Sequence, residues 1–315
     1  MKFNNVTIAG TGSYVPSDIV TNEKLAMGID TSAEWIKDKL GISERRVVGY
    51  DEKPSDMAYN ATIKALKNAN LDKEDLDMII FVTSSPEQIS PSTACVLNNK
   101  LDLKKNIPSF DINAVCAGFV YGISIAAPLI SSGAYKNILI VASEAYSSIT
   151  DYFHRNAVFF GDGAGAVILS SSENGWISSE LSANGNGSGL TGFSLKHGEK
   201  YTTIPKQVWD QAVRVLPESI ESILKTNEIS VDDIDLFIPH QASINMLNLI
   251  AEKVNLPKSK MRTVMNKYGN IAGASIPIVL DEINQAGELK EGSTILMSAI
   301  GSGWAWGSVL INFEK

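Results

Sequence analysis

Cys116 sits in the run Asp111-Ile-Asn-Ala-Val-Cys116-Ala-Gly-Phe119, where an apolar stretch gives way to a helical pattern among small residues. That arrangement predicts a thiol at a strand-to-helix corner. The free N–H groups and partial positive charge of a helix N-terminus favour a thiolate there and lower the thiol pKa. Two more polar residues also end apolar runs: His240 in Leu236-Phe-Ile-Pro239-His240-Gln-Ala, and Asn270 in Lys267-Tyr-Gly-Asn270-Ile-Ala-Gly-Ala-Ser275. The C-terminal ends of strands are where α/β sheets collect catalytic groups. A thiol nucleophile, an imidazole and a carboxamide together suit thioester chemistry.

Each residue alone has an ordinary explanation. A lone cysteine is usually a small apolar side chain, and Cys95, which has no such corner, reads as core packing. A histidine after a strand can simply close a loop, as the polar contexts of His154 and His197 suggest for them. Asn tolerates left-handed turns, but a turn does not require the small residues Ala272-Gly-Ala-Ser275, which let a helix N-terminus approach a ligand closely. The stretch Ile300-Gly-Ser302-Gly-Trp-Ala-Trp-Gly-Ser308 is either a plain turn or a loop of backbone donors for an oxyanion. Gly161-Asp-Gly-Ala-Gly-Ala166 looks like a phosphate loop but leads into a strand rather than a helix, which discounts nucleotide binding.

The elements that must hold these residues form a repeat. Ala65-Leu-Lys-Asn-Ala-Asn-Leu-Asp-Lys-Glu-Asp-Leu-Asp-Met-Ile-Ile80 is echoed half a chain later by Ile223-Leu-Lys-Thr-Asn-Glu-Ile-Ser-Val-Asp-Asp-Ile-Asp-Leu-Phe-Ile238. Each is a helix end, an acidic loop and a short buried strand. Gly165-Ala-Val-Ile-Leu169 and Gly307-Ser-Val-Leu-Ile311 are a second echo. Two α/β halves follow, residues 1–172 carrying the cysteine and 173–315 carrying His240 and Asn270. Helical periodicity covers 55–70, 117–132, 206–226, 244–254 and 276–286. Strand-like runs cover 77–82, 137–142, 164–169, 235–238 and 293–297. Strands alternating with helices of this length predict largely parallel sheets covered on both faces. The stretch Asn184-Gly-Asn-Gly-Ser-Gly-Leu-Thr-Gly192 reads as an exposed connection.

The bulk composition narrows the function classes. The chain has 315 residues, 44% of them apolar, enough for a substantial core. A net charge of -8 disfavours a nucleic-acid partner. Two cysteines argue against a disulfide framework and for a reducing, cytoplasmic location. The first ten residues read as a strand rather than a signal peptide. The longest apolar stretch, 117–130, falls short of the roughly 20 residues a membrane span needs and reads as a buried helix.

On these residues the chain resembles the β-ketoacyl-acyl-carrier-protein synthase III family of the thiolase superfamily. The likeness runs from Gly10-Thr-Gly-Ser-Tyr-Val-Pro16 through Thr31-Ser-Ala-Glu-Trp-Ile36 and Gly41-Ile-Ser-Glu-Arg-Arg46 to Trp306-Gly-Ser308, and takes in the four motifs around Cys116, Asp162, His240 and Asn270. It implies a thiolase-like five-layered α-β-α-β-α fold of two pseudo-symmetric halves, and a homodimer. It implies that Cys116 takes an acyl group from acyl-CoA as substrate, with no permanently bound cofactor and no metal. His240 and Asn270 then hold the carbonyl of malonyl-acyl carrier protein or malonyl-CoA, decarboxylation gives an enolate, and the enolate attacks the acyl-enzyme. The backbone N–H groups of Cys116 and Ser302 form the oxyanion hole. Trp35, Arg155 and Ser243 take coenzyme A contacts, and Ser90, before Pro91, is the chain-length gate. No nucleic acid or membrane partner is implied.

The chain departs from the family pattern in places. The loop from Arg155 to Gly161 is one residue shorter. Thr203-Ile-Pro205 replaces a Met-Ala-Gly segment, and the 184–203 region is shortened. Where the family carries basic residues that dock an acidic carrier protein, this chain has Asn245, Asp210 and Glu252, and keeps Lys253. Lys258, Lys260 and Arg262 are candidate replacements. Two rivals to the fatty-acid condensing enzyme follow: a specialised-metabolism relative acting on another acceptor, and a non-catalytic partner subunit, which the retained Cys116, His240 and Asn270 disfavour. The duplicated α/β pattern disfavours a papain-like hydrolase.

Overall fold

The computed structural model describes residues 1–187 and 205–314. Residues 188–204, with His197, Thr203 and Ile204 and most of the shortened region, lie outside them. In chain order the first half comprises β1 (Lys2–Tyr14), β2 (Asp18–Thr21), α1 (Asn22–Ala26), α2 (Ala33–Leu40), β3 (Glu44–Val47), α3 (Pro54–Ala69), β4 (Met78–Val82), α4 (Thr93–Leu101), β5 (Ser109–Ile112), α5 (Gly118–Ser131), β6 (Asn137–Ala145) and β7 (Asp162–Ala183). The second comprises α6 (Pro205–Thr226), β8 (Leu236–Pro239), α7 (Ile244–Lys253), α8 (Met265–Tyr268), α9 (Ser275–Gln285), β9 (Thr294–Gly301) and β10 (Ala305–Asn312). The sequence α3-β4-α4-α5-β6-β7 thus recurs as α6-β8-α7-α9-β9-β10. Among the described residues no helix is long and apolar enough to cross a membrane.

Eight of the ten described strands form one sheet in the order β5-β4-β6-β7-β10-β9-β8, with β1 also paired to β7, while β2 and β3 form a separate antiparallel pair. β7 is the joint. Its first part, Asp162–Ser170, pairs with β6, and its last part, Trp176–Ala183, pairs with β10. β1 runs antiparallel along both parts, from Tyr14 beside Ala164 to Lys2 beside Ser178. The 172/173 division falls inside β7, between its two sets of partners. The sheet is mixed rather than largely parallel. β4 is parallel to β5 and β6, and β8 to β9, but β6–β7, β7–β10 and β9–β10 are antiparallel. The short turn between β9 and β10 leaves no room for a crossover, so that pair has to be antiparallel.

Alternation along each strand assigns side chains to layers. In β4, Ile79 and Phe81 pack with Ala61 of α3 and Leu97 of α4, while Ile80 and Val82 turn the other way. In the second half, Phe237, Leu296 and Leu310 pack with Ile220 of α6 and Ile250 of α7, while Ile238, Met297 and Val309 face inward. Between the two inward faces lie α5 and α9, with Phe119, Ile123, Ile276 and Val279 in one continuous core. The layers are therefore α-β-α-β-α. Sandwiched between the two halves of the sheet, α5 has apolar residues around its circumference, as a helix buried on both sides must. The stretch 117–130 was expected to be such a helix.

Candidate active site

Both inner helices begin at the same kind of corner. Val115–Ala117 forms a single tight turn before α5, and Ala272–Ala274 forms its counterpart before α9. Val115 (φ 49°) and Ala272 (φ 40°) are both held in the left-handed region that costs a side-chain-bearing residue roughly 1–3 kcal/mol. In the first half the corner presents Cys116. In the second the equivalent place is Gly273, and the functional side chain, Asn270, comes just before the turn. Gly301, the last residue of β9, lies against the first corner: a Cβ there would stand 2.4 Å from the Ala114 carbonyl and 3.1 Å from the Cys116 nitrogen. That approach sets the Gly301–Ser302 backbone beside the Cys116 N–H, the placement an oxyanion hole needs.

His240 follows β8, its backbone N–H donating to the Ser298 carbonyl at 2.9 Å. Its ring is buried and donates to the Ala272 carbonyl, and burial pushes its pKa down to about 4. The imidazole is therefore neutral near pH 7. Nδ1 has no hydrogen-bond partner among the described residues. The Oδ1 of Asn270 accepts the Ala272 N–H at 2.8 Å, so the side-chain amide keeps its N–H donors for other partners. The Asn270 main chain is fixed by an N–H to the Phe159 carbonyl at 2.8 Å and by the Gly161 N–H on its own carbonyl at 3.1 Å.

Cys116, His240, Asn270 and Ser302 line one cavity of about 470 Å³, together with Trp35 and Ser243. Its wall is mainly apolar, with Phe160, Trp209 and Trp304 prominent. Arg155 is not in the wall but stacks on Trp35, its guanidinium carbon 4.5 Å from the ring centroid. The Ser243 hydroxyl donates to the Lys39 carbonyl at 3.0 Å, tying α7 to the end of α2. Ser90 is exposed on the loop after β4 and lies outside the cavity wall. Among the described residues, no cluster of three or more His, Cys, Asp or Glu side chains could hold a metal.

Several expectations need correction. The Cys116 thiol is not lowered: burial, and then the negative charge of Glu144, push it up to about 12, outweighing its own backbone N–H. Cys95 is exposed rather than in the core, because α4 turns Ala94, Leu97 and Leu101 inward and Cys95 away from them. Lys258, Lys260 and Arg262 lie on the segment that runs beside β8, where Met261 pairs with Phe237 and the Arg262 N–H donates to the Phe237 carbonyl. Lys260 Nζ donates to the Val231 and Asp232 carbonyls, and Arg262 pairs with Glu288. His154 is a loop residue whose Nδ1 accepts the Asn156 N–H. Sequence reasoning passed over Glu144, although a charged residue in the apolar run Ile138-Leu-Ile-Val-Ala-Ser-Glu144-Ala145 is a visible signal.

Adding one methyl group at Gly301 tests the corner. Gly301→Ala places a carbon inside the contact distance of the Ala114 carbonyl, so the Cys116 and Ser302 N–H groups must separate. Acyl transfer to Cys116 is expected to fall by about 100-fold, the scale of losing an oxyanion donor. Intact-protein mass spectrometry over time measures this, with circular dichroism confirming the fold.

This fold recurs in known proteins. The family model for 3-oxoacyl-(acyl-carrier-protein) synthase III matches residues 110–185, and that for its C-terminal region matches residues 224–313. The β-ketoacyl-(acyl-carrier-protein) synthase III of Rickettsia felis is 41% identical over 321 aligned positions, covering 97% of this chain and 99% of that protein. Its counterpart from Clostridium acetobutylicum is 38% identical, covering 99% of this chain and all of that one. The crystal structure of the Aquifex aeolicus 3-oxoacyl-(acyl-carrier-protein) synthase III superposes with a TM-score of 0.94 at 39% identity, covering 98% of this chain and 100% of that chain. With matches of this identity spanning nearly its whole length, the chain belongs to the 3-oxoacyl-(acyl-carrier-protein) synthase III family of condensing enzymes.

Proposed function

We propose that this chain is an acyltransferase that condenses an acyl-CoA primer with malonyl-acyl carrier protein, through an acyl group carried on Cys116, in fatty acid biosynthesis. The observation that supports it is the meeting of Cys116, His240, Asn270 and Ser302 on one apolar cavity. In the first half-reaction Cys116 attacks the thioester carbonyl, whose oxygen takes hydrogen bonds from the N–H groups of Cys116 and Ser302. Coenzyme A leaves as its thiol, carrying the cysteine's proton.

In the second half-reaction the malonyl thioester carbonyl lies against His240 and Asn270. The net reaction takes up one proton per carbon dioxide released, and Nε2 of His240 is where it can reside, since Nδ1 is buried away from the cavity. The malonyl carboxylate raises the pKa of the ring beside it. The Nε2–H and the Asn270 amide then donate to the enolate oxygen as carbon dioxide leaves. The enolate carbon bonds to the acyl carbon, the C–S bond breaks, and the strongly basic Cys116 thiolate recovers the proton from His240. No permanently bound cofactor is needed, since both substrates arrive as activated thioesters.

Trp35 and Arg155 take the adenine end of coenzyme A, and Ser243 lines the passage to Cys116. The protein works in the cytoplasm as a homodimer, with no nucleic-acid or membrane partner. Ser90 then gates primer length from the partner subunit, since it is exposed in its own. A serine there leaves room that a phenyl ring would fill, and each buried methylene contributes about 0.8 kcal/mol. The wild type is expected to acylate Cys116 with primers longer than acetyl, and Ser90→Phe to shift preference toward acetyl. Rates of mass gain across an acyl-CoA series decide it; acetyl alone accepted by the wild type, or no shift in the variant, removes Ser90 from the gate.

A further inference from the structure

Beneath the two corners lies a carboxylate that the proposed chemistry does not use. Glu144, near the end of β6, is fully buried. Ser84 donates to it from both its backbone N–H and its hydroxyl, and the Ser85 hydroxyl donates at 2.6 Å. Since the Ser84 proton is committed to Glu144, the 2.9 Å contact between Ser84 Oγ and Tyr146 Oη has the tyrosine as donor. Tyr146 lines the cavity. Thr83 Oγ1 donates at 3.4 Å, and a further partner comes from the other half of the chain: the backbone N–H of Gly273.

Gly273 follows the strained Ala272, and Ala272 holds both of its functional neighbours. Its carbonyl accepts from the His240 ring, and its N–H is bound by Asn270 Oδ1. The left-handed conformation of Ala272 therefore decides where both side chains point. It persists only if the contacts around it hold it, and the Glu144 carboxylate, whose Oε1 lies against Gly273, supplies one of them. The packing leaves no slack: a Cβ on Gly273 would lie 2.9 Å from Val82, 3.1 Å from the Val115 carbonyl and 3.5 Å from Glu144.

We propose that Glu144 is a positioning residue for the decarboxylating half-reaction: by holding the Gly273 N–H it keeps Ala272 in its strained conformation, and through Ala272 it aims His240 and Asn270. The inference rests on the roles proposed above for those two residues.

Glu144→Gln keeps the shape but replaces one acceptor oxygen with an amide donor facing other donors. In this variant the kcat for malonyl thioester decarboxylation is expected to fall by about 100-fold, the cost of roughly an ångström of misplacement. KM for the malonyl thioester should change little, and acylation of Cys116 by acyl-CoA should not fall, since the oxyanion hole is built from other loops and losing the Glu144 charge eases ionisation of the thiol. Equal losses in both half-reactions, or decarboxylation at the wild-type rate, would overturn the proposal. Should Glu144→Gln not fold, Ser85→Ala removes one donor and leaves the Gly273 bond in place. A selective loss of decarboxylation, smaller than 100-fold, is expected there, and equal losses in both half-reactions again overturn it. A wild type that neither acylates nor decarboxylates would instead refute the underlying function.

Discussion

Cys116→Ala is expected to abolish the acyl-enzyme and with it all condensation. No mass should be added to the variant by any acyl-CoA, because no other thiol lines the cavity among the described residues. Cys95, the one other cysteine, is on α4 outside the cavity. Decarboxylation of a malonyl thioester should survive to a measurable degree, since it needs His240 and Asn270 rather than the thiol. The raised thiol pKa sharpens the test. A thiol near 12 is almost wholly protonated at pH 7, so wild-type acylation should climb tenfold per pH unit through the neutral range wherever loss of that proton limits the rate. Condensation by the alanine variant at more than about a thousandth of the wild-type rate would remove Cys116 from the mechanism.

The second large effect belongs to the other half of the chain. His240→Ala and Asn270→Ala should each lower malonyl decarboxylation by a few hundredfold, since a donor aimed at developing charge contributes roughly 3–4 kcal/mol. Acylation of Cys116 should persist in both, because its oxyanion is held by backbone N–H groups. The double variant should lose less than the sum of the two, because both donors serve one oxygen and Ala272 holds both side chains. Release of labelled carbon dioxide from malonyl thioester measures the first step, and intact mass the second. Unchanged decarboxylation in either single variant would contradict its role.

Much of this was legible in the sequence because the signals are local. The helices α3, α5, α6, α7 and α9 start and stop within a residue or two of the expected limits. At α3, for example, Pro54 opens the first turn, Asp56 caps it and Asn70 ends it in a left-handed turn. The repeated helix-loop-strand motif foretold both half-sheets. Three things were hidden, each for a physical reason. The polar run Ser170-Ser-Ser-Glu-Asn-Gly175 reads as a loop, so nothing local reveals that β7 continues to Ala183; only pairing with β1 and β10 carries it through. Strand direction was misjudged at β6–β7 and β9–β10, where alternation gives burial but not orientation. The thiol's pKa was misjudged because helix placement is visible in sequence, whereas the Glu144 carboxylate beside it is a product of tertiary packing.

The pairing of β1 with both parts of β7 fixes the order in which this fold can be completed. β1 is made well before its partner, and the pairing extends to Ser178, more than half the chain later. Until then its edge is unsatisfied and its core residues Val6 and Ile8 lack most of the faces they pack against. The central layer closes later still, because α9 starts only at Ser275. Contacts of such long sequence separation slow folding and expose sheet edges while the chain waits. The two halves are therefore not a pair of modules that happened to dock. They share a seam sewn from the first strand, and the catalytic corners take shape only once it is closed.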